Sequence, residues 1–182
     1  MVFRRETTAA ELAARVSQAL EAAGIRAVLS GGGAVSIHTT NEYESSDLDF
    51  VTHARRAEIA GALEGLGFTP ARDGRHFEHA DTDLFLEFPA GPLQFGDRIA
   101  SFDEVPTIAT EWGPLRVVTP TQCVMDRLAA FWHWNDRQSW DQALMVAKRQ
   151  PVDYDELMTF ARQEGRDPVE IDRLRELATA ER

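Results

Sequence analysis

The sequence predicts an α/β fold of the mixed, α+β kind: a mixed β-sheet flanked by helices over residues 1–118, followed by a helical subdomain over 119–182. Three observations predict it. A short apolar run enters a string of glycines and then resumes with a helical look, which is the order strand, turn, helix. Two later segments alternate apolar and acidic residues with the period of two that marks a half-buried strand. Beyond residue 118 the apolar spacing changes to three and four and stays there to the end, as in consecutive amphipathic helices. With 182 residues, 43% of them hydrophobic, the chain can bury a core of its own.

The elements follow in order. Thr8-Ala-Ala-Glu11 has capping-box spacing, and Leu12, Val16 and Leu20 recur at helical intervals until Gly24 supplies a stop. Ile25 to Leu29 reads as a strand entering Ser30-Gly31-Gly32-Gly33, and a helical pattern resumes over Ala34 to His38. After a polar loop, Asn41 to Ser46, the segment Asp47-Leu-Asp-Phe-Val51 reads as a strand with two acids on one face and Leu48 and Phe50 on the other. Ile59, Leu63 and Leu66 mark a helix ending at Gly67, and Phe68 to His79 folds as a hairpin about Asp73-Gly74. Asp83 to Phe88 is a further alternating strand, stopped by Pro89. Ala90 to Pro106 reads as irregular, and Thr107 to Val118 as a hairpin around Trp112-Gly113-Pro114. Thr119-Pro120 is a helix start, and helices are expected over Thr121 to Trp134, Arg137 to Arg149, Tyr154 to Glu164 and Val169 to Ala180.

Composition excludes several functions. Cys123 is the only cysteine, so there is no internal disulfide and no cysteine-built zinc site. A net charge of −11 opposes broad binding to a nucleic-acid backbone, which calls for a basic face. No apolar run approaches the roughly 18 residues of a membrane span, and the N-terminus lacks a signal-peptide core, so a cytoplasmic protein is expected, with no membrane partner.

The chemistry lies in the acids and glycines. Asp47 and Asp49, two apart on a strand, point the same way and crowd like charges together, at a cost that a cation or a proton relieves. Oxygen-only ligation selects magnesium or manganese, and magnesium takes its remaining ligands from water and substrate phosphates. Glu87, on the outward face of the later strand, is the candidate third acid, with Asp83 as the alternative on the same face. The glycine turn at a helix N-terminus lets backbone N–H groups approach a phosphate, although three consecutive glycines leave its register open by one residue.

Gly31-Gly32-x-Ala34, then Ser46-Asp47-Leu-Asp49-Phe50, then Leu86-Glu87-Phe88 together resemble the polymerase-β-like nucleotidyltransferase superfamily, over roughly residues 25 to 90. The likeness is nearest to its small prokaryotic branches, which include antibiotic nucleotidyltransferases and the nucleotidyltransferase-like parts of toxin–antitoxin and abortive-infection systems. It implies Ser30, Gly31, Gly32 and Ser46 near the triphosphate, and Asp47, Asp49 and Glu87 as catalytic metal ligands. It implies magnesium or manganese as cofactor, a nucleoside triphosphate as substrate, and transfer of a nucleoside monophosphate to an acceptor: a small molecule, a protein or an RNA end. The alternative is a non-catalytic binding or regulatory module of the same fold, associated with a partner protein in a toxin–antitoxin pair. Glutamate stands at position 87 where aspartate is common in these families, one methylene longer.

The remaining candidates have plainer readings. His76 and His79, three apart on a strand, face opposite sides and do not form a metal pair. His53 reads as a loop histidine, and Trp132, Trp134 and Trp140 as core of the helical tail. Arg127, Arg137 and Lys148 are the tail's candidates for reaching a triphosphate, each otherwise a surface charge or a partner of Asp126, Asp136 or Asp141.

Overall fold

A computed structural model describes residues 3–180. The outermost ends of the two units expected from sequence, residues 1–2 and 181–182, lie outside them. Helix α1 (Ala9–Ala22) starts where Thr8 Oγ1 accepts the Glu11 amide at 3.2 Å. Glu11 does not return the bond of a full capping box; its carboxylate pairs with Arg15 one turn on, at 3.2 Å. Leu12, Val16 and Leu20 are fully buried, as their spacing requires.

Strand β1 (Ala27–Ser30) leads into helix α2 (Gly31–His38), and β2 (Asp47–Thr52) returns antiparallel beside β1. Helix α3 (Arg56–Glu64) is followed by β3 (Thr69–Pro70) and β4 (His76–Glu78), a hairpin whose turn uses Gly74 at φ +74°. Strand β5 (Phe85–Glu87) then inserts between β2 and β4, parallel to the first and antiparallel to the second. The sheet order is β1-β2-β5-β4-β3, mixed as expected. Its inner face carries Leu48, Phe50, Phe77 and Leu86, all with no exposed surface. Each such side chain contributes about 1.5–3 kcal/mol by leaving water, and with period two this leaves Asp47, Asp49, Phe85, Glu87 and His76 together on the opposite face.

The stretch read as irregular, Ala90 to Pro106, contains a hairpin: β6 (Leu93–Phe95) and β7 (Arg98–Ala100) pair antiparallel, followed by a 3-10 turn over Phe102–Glu104. Three-residue strands are too short to show alternation clearly, and the turn depends on Gly96 at φ +54°. Glu164 fixes the hairpin to the helical tail by accepting the Asp97 amide at 2.7 Å. Strands β8 (Thr107–Thr110) and β9 (Gly113–Arg116) form the second expected hairpin.

The tail comprises α4 (Pro120–Trp134), α5 (Arg137–Arg149), α6 (Tyr154–Gln163) and α7 (Val169–Thr179), within a residue or so of the expected bounds. Thr119 and Gln122 complete a capping box at the start of α4, with Pro120 in the first turn. Asp136 and Asp153 cap α5 and α6. One continuous hydrophobic core joins sheet and tail. No helix among the described residues is long and apolar enough to cross a membrane.

Candidate active site

The outer face of β2 and β5 carries the acids. Antiparallel register pairs Ser30 with Asp49, so the chain leaves β1 and turns into α2 at the level of the second acid. Gly31 makes that turn at φ +62°, and a Cβ at this position would overlap the Asp49 carboxylate. At Gly32 a Cβ would lie 2.7 Å from Ser45 Oγ, and at Gly33 2.9 Å from Leu48 Cδ2. The three glycines thus have different surroundings: Gly31 faces Asp49, Gly32 faces the serine loop, and Gly33 faces the core.

Ser45 donates from Oγ to Asp47 Oδ1 at 2.6 Å, while its own amide is held by Ser36 Oγ at 3.0 Å. Sequence reasoning chose Ser46, its neighbour. The structure leaves Ser46 exposed beside Asp83, Thr82 and Arg5, and puts the buried Ser45 against Gly32 and Asp47. Ser30 is 7% exposed, with no hydrogen bond from its side chain to the helix it precedes.

Parallel register sets Glu87 directly beside Asp49. Asp83 lies before the paired part of β5 and is exposed, away from this pair. Burial pushes the Asp49 carboxyl up to about 7, and the charges of Asp47, Glu87 and Asp126 push it the same way against Arg127. The carboxylate of Glu87 meets two side chains from the β3–β4 hairpin: His76 Nε2 at Oε1, and Arg75 Nη2 at Oε2 at 3.1 Å. His76 and His79 do not meet, as expected; His79 packs on Phe3 and Phe68, with ring centroids 5.4 and 5.2 Å apart. The bond of His76 to Glu87 escaped sequence reasoning, because it follows from the β4–β5 pairing and not from residue spacing.

Helix α4 supplies the facing wall. Arg127 forks onto Asp126 Oδ2 at 2.6 and 3.2 Å and donates to Gln142 Oε1 at 3.2 Å. It is thus the partner of Asp126, the plainer of its two expected readings. Beside them lies a cavity of about 500 Å³ lined by Gln94, Asp97, Asp126, Arg127, His133 and Trp134. Trp132 is buried and donates to Glu170 at 2.6 Å, and Trp140 packs on Phe131. Trp134 departs from the expected core role: it is 82% exposed at the rim of this cavity.

The donor chemistry of Asp47 and Asp49 fits a hard divalent cation: oxygen ligands only, with a carboxyl raised by crowding that a cation would relieve. Among the described residues no three such side chains converge as a ready-made metal cage. The third acid is turned to Arg75 and His76.

Two solved structures share this architecture. The solution structure of the antibiotic-resistance factor ANT(2'')-Ia superposes with a TM-score of 0.50 at 15% identity, over 95% of this chain and 91% of that one. An antigenic nucleotidyltransferase-like protein from Paracoccidioides brasiliensis gives 0.55 at 12% identity, over 79% and 77%. The chain has the nucleotidyltransferase fold. The sequence resemblance therefore holds at the level of fold. No protein-family model and no curated protein sequence matches the chain. Within this nucleotidyltransferase fold, Asp47, Asp49 and Glu87 share one face of β2 and β5 with Gly31 against Asp49, whereas Ser46 and Asp83 line a hollow that Ser45 also borders.

Proposed function

We propose that the chain is a metal-dependent nucleotidyltransferase that moves a nucleoside monophosphate from a nucleoside triphosphate to an acceptor hydroxyl, acting in the cytoplasm. The observation that carries this reading is the placement of Asp47, Asp49 and Glu87 on one face of β2 and β5, with Asp49 against the left-handed turn at Gly31, within the nucleotidyltransferase fold. Residues 1–118 form the catalytic unit in this reading and 119–182 the wall that faces it. The backbone N–H groups at the start of α2 receive triphosphate oxygens, a role that needs the bare backbone of Gly31 and Gly32, with Ser30 beside them. Asp47 and Asp49 hold magnesium or manganese, which supplies charge stabilisation at the transferring phosphoryl group. Ser45 fixes the Asp47 carboxylate, and Glu87 orients the acceptor hydroxyl or receives its proton.

The hollow of about 500 Å³ between α4 and the β6–β7 hairpin is the size of a small-molecule site, and its rim tryptophan offers a flat face to a base or an acceptor ring. The net charge of −11 favours a small acceptor or a short RNA end over a long RNA.

A second reading, a non-catalytic binding module of the same fold, is favoured by one observation: both oxygens of Glu87 are engaged by Arg75 and His76. The toxin–antitoxin association is compatible with either reading. Transfer of labelled nucleotide from each triphosphate to a panel of hydroxylated small molecules, proteins and RNA ends separates the two. Wild type is expected to label an acceptor, with Asp47→Ala and Asp49→Ala about a thousandfold slower while still folded. Undiminished transfer in both variants contradicts the assignment, and absence of wild-type transfer with every acceptor supports the binding module.

A further inference from the structure

The β3–β4 hairpin is built to present a histidine to Glu87. Asp73 Oδ1 accepts the amides of Arg75 and His76 at 2.8 and 3.1 Å, and its other oxygen bonds His76 Nδ1. The imidazole stands edge-on to Phe85, with centroids 4.8 Å apart. Its orientation is therefore set from two sides before it meets Glu87 through Nε2. His76 is also the cross-strand partner of Glu87, and Glu87 that of Asp49, so the three residues form one row across β4, β5 and β2. Arg75 reaches the second Glu87 oxygen differently. Its side chain is 74% exposed, against 27% for His76 and 18% for Glu87, and among the described residues Glu87 is the one side chain to which its guanidinium donates.

We propose that His76, oriented by Asp73, is a positioning residue that holds Glu87 beside Asp49, and that Arg75 is a displaceable counter-ion that competes with a divalent cation for the Glu87 carboxylate. This rests on the reading of Asp47, Asp49 and Glu87 as metal ligands. An imidazole fixed by a second carboxylate is the kind of outer support that sets the direction of a metal-binding group. An exposed guanidinium on a long side chain is held weakly and gives way to a better-placed cation. The two contacts on one carboxylate therefore have opposite effects on cation affinity.

The test is binding of manganese alone, without nucleotide, followed by the electron paramagnetic resonance signal of the free ion. Wild type, Arg75→Gln, His76→Ala and His76→Gln are compared, with thermal melts confirming that each is folded. Removing the competing cation in Arg75→Gln is expected to tighten manganese binding about two- to fivefold. Removing the support in His76→Ala is expected to weaken it about tenfold or more. Gln at position 76 keeps a donor at the reach of Nε2 and is expected to restore affinity to within about threefold of wild type, by the same outer-support logic. Affinities unchanged in Arg75→Gln and His76→Ala, or changed in the same direction, overturn the proposal and leave the metal reading standing. Absence of manganese binding by wild type overturns the metal reading and this proposal together.

Discussion

Asp49→Asn is expected to be more stable than wild type near pH 8 in the absence of divalent cations, and inactive in nucleotide transfer. The carboxyl of Asp49 lies mostly buried beside Asp47 and Glu87, which raises its pKa from the ordinary 3.8 to about 7. The unfolded chain releases this proton near pH 4, the folded one only near 7. Folding is therefore progressively disfavoured as pH rises from about 4 to about 7, and the loss is complete above that. A shift of this size corresponds to roughly 4 kcal/mol. The neutral amide escapes this loss, and a gain of about 2–4 kcal/mol is expected at pH 8, shrinking to nothing near pH 3. Urea unfolding of both proteins at pH 3, 6 and 8 in a chelator measures it. A variant less stable than wild type at pH 8 would show that Asp49 is not held at a cost. Added magnesium is expected to stabilise wild type at pH 8 and leave Asp49→Asn unmoved, because a cation binds the charged carboxylate and competes with its proton.

Gly31→Ala is the second large effect. At φ +62° a Cβ costs about 1–2 kcal/mol from the backbone alone, and here it would also overlap the Asp49 carboxylate. The acid must move, and displacement of a catalytic group by about 1 Å costs on the order of a hundredfold in rate. Gly24→Ala is the control: it shares the left-handed backbone, at φ +74°, but has nothing within 4 Å of the added methyl. Both variants are expected to lose stability, and only Gly31→Ala to lose transfer. Equal activity in the two would mean that the turn does not set the position of Asp49.

What could be read from the sequence followed physical period. The acid strand, the four tail helices and the Asp73-Gly74 hairpin were legible because alternation, heptad-like spacing and turn residues each report a local preference. The β6–β7 hairpin was not, since three-residue strands carry too little pattern and gain their stability by docking on the tail through Glu164. The site divides in the same way. Asp47 and Asp49 share a strand face by geometry alone, whereas the seat of Glu87 beside Asp49 and the reach of His76 to Glu87 depend on how β5 lies between β2 and β4, and the bond of Ser45 to Asp47 on the loop between α2 and β2. Trp134 misled because its spacing matches a helix while its face of α4 meets solvent.

The most direct test of a triphosphate site built on these acids is a thermal-shift panel of ATP, CTP, GTP and UTP, each with and without magnesium or manganese, on wild type and Asp49→Ala. A nucleotide at about 100 times its dissociation constant adds roughly 2.7 kcal/mol, which for a chain of this size is a shift of about 5–10 °C. The account predicts a shift for at least one nucleotide that requires the metal and disappears in Asp49→Ala. Absence of a shift with all four nucleotides, or a shift that survives in Asp49→Ala, would contradict it.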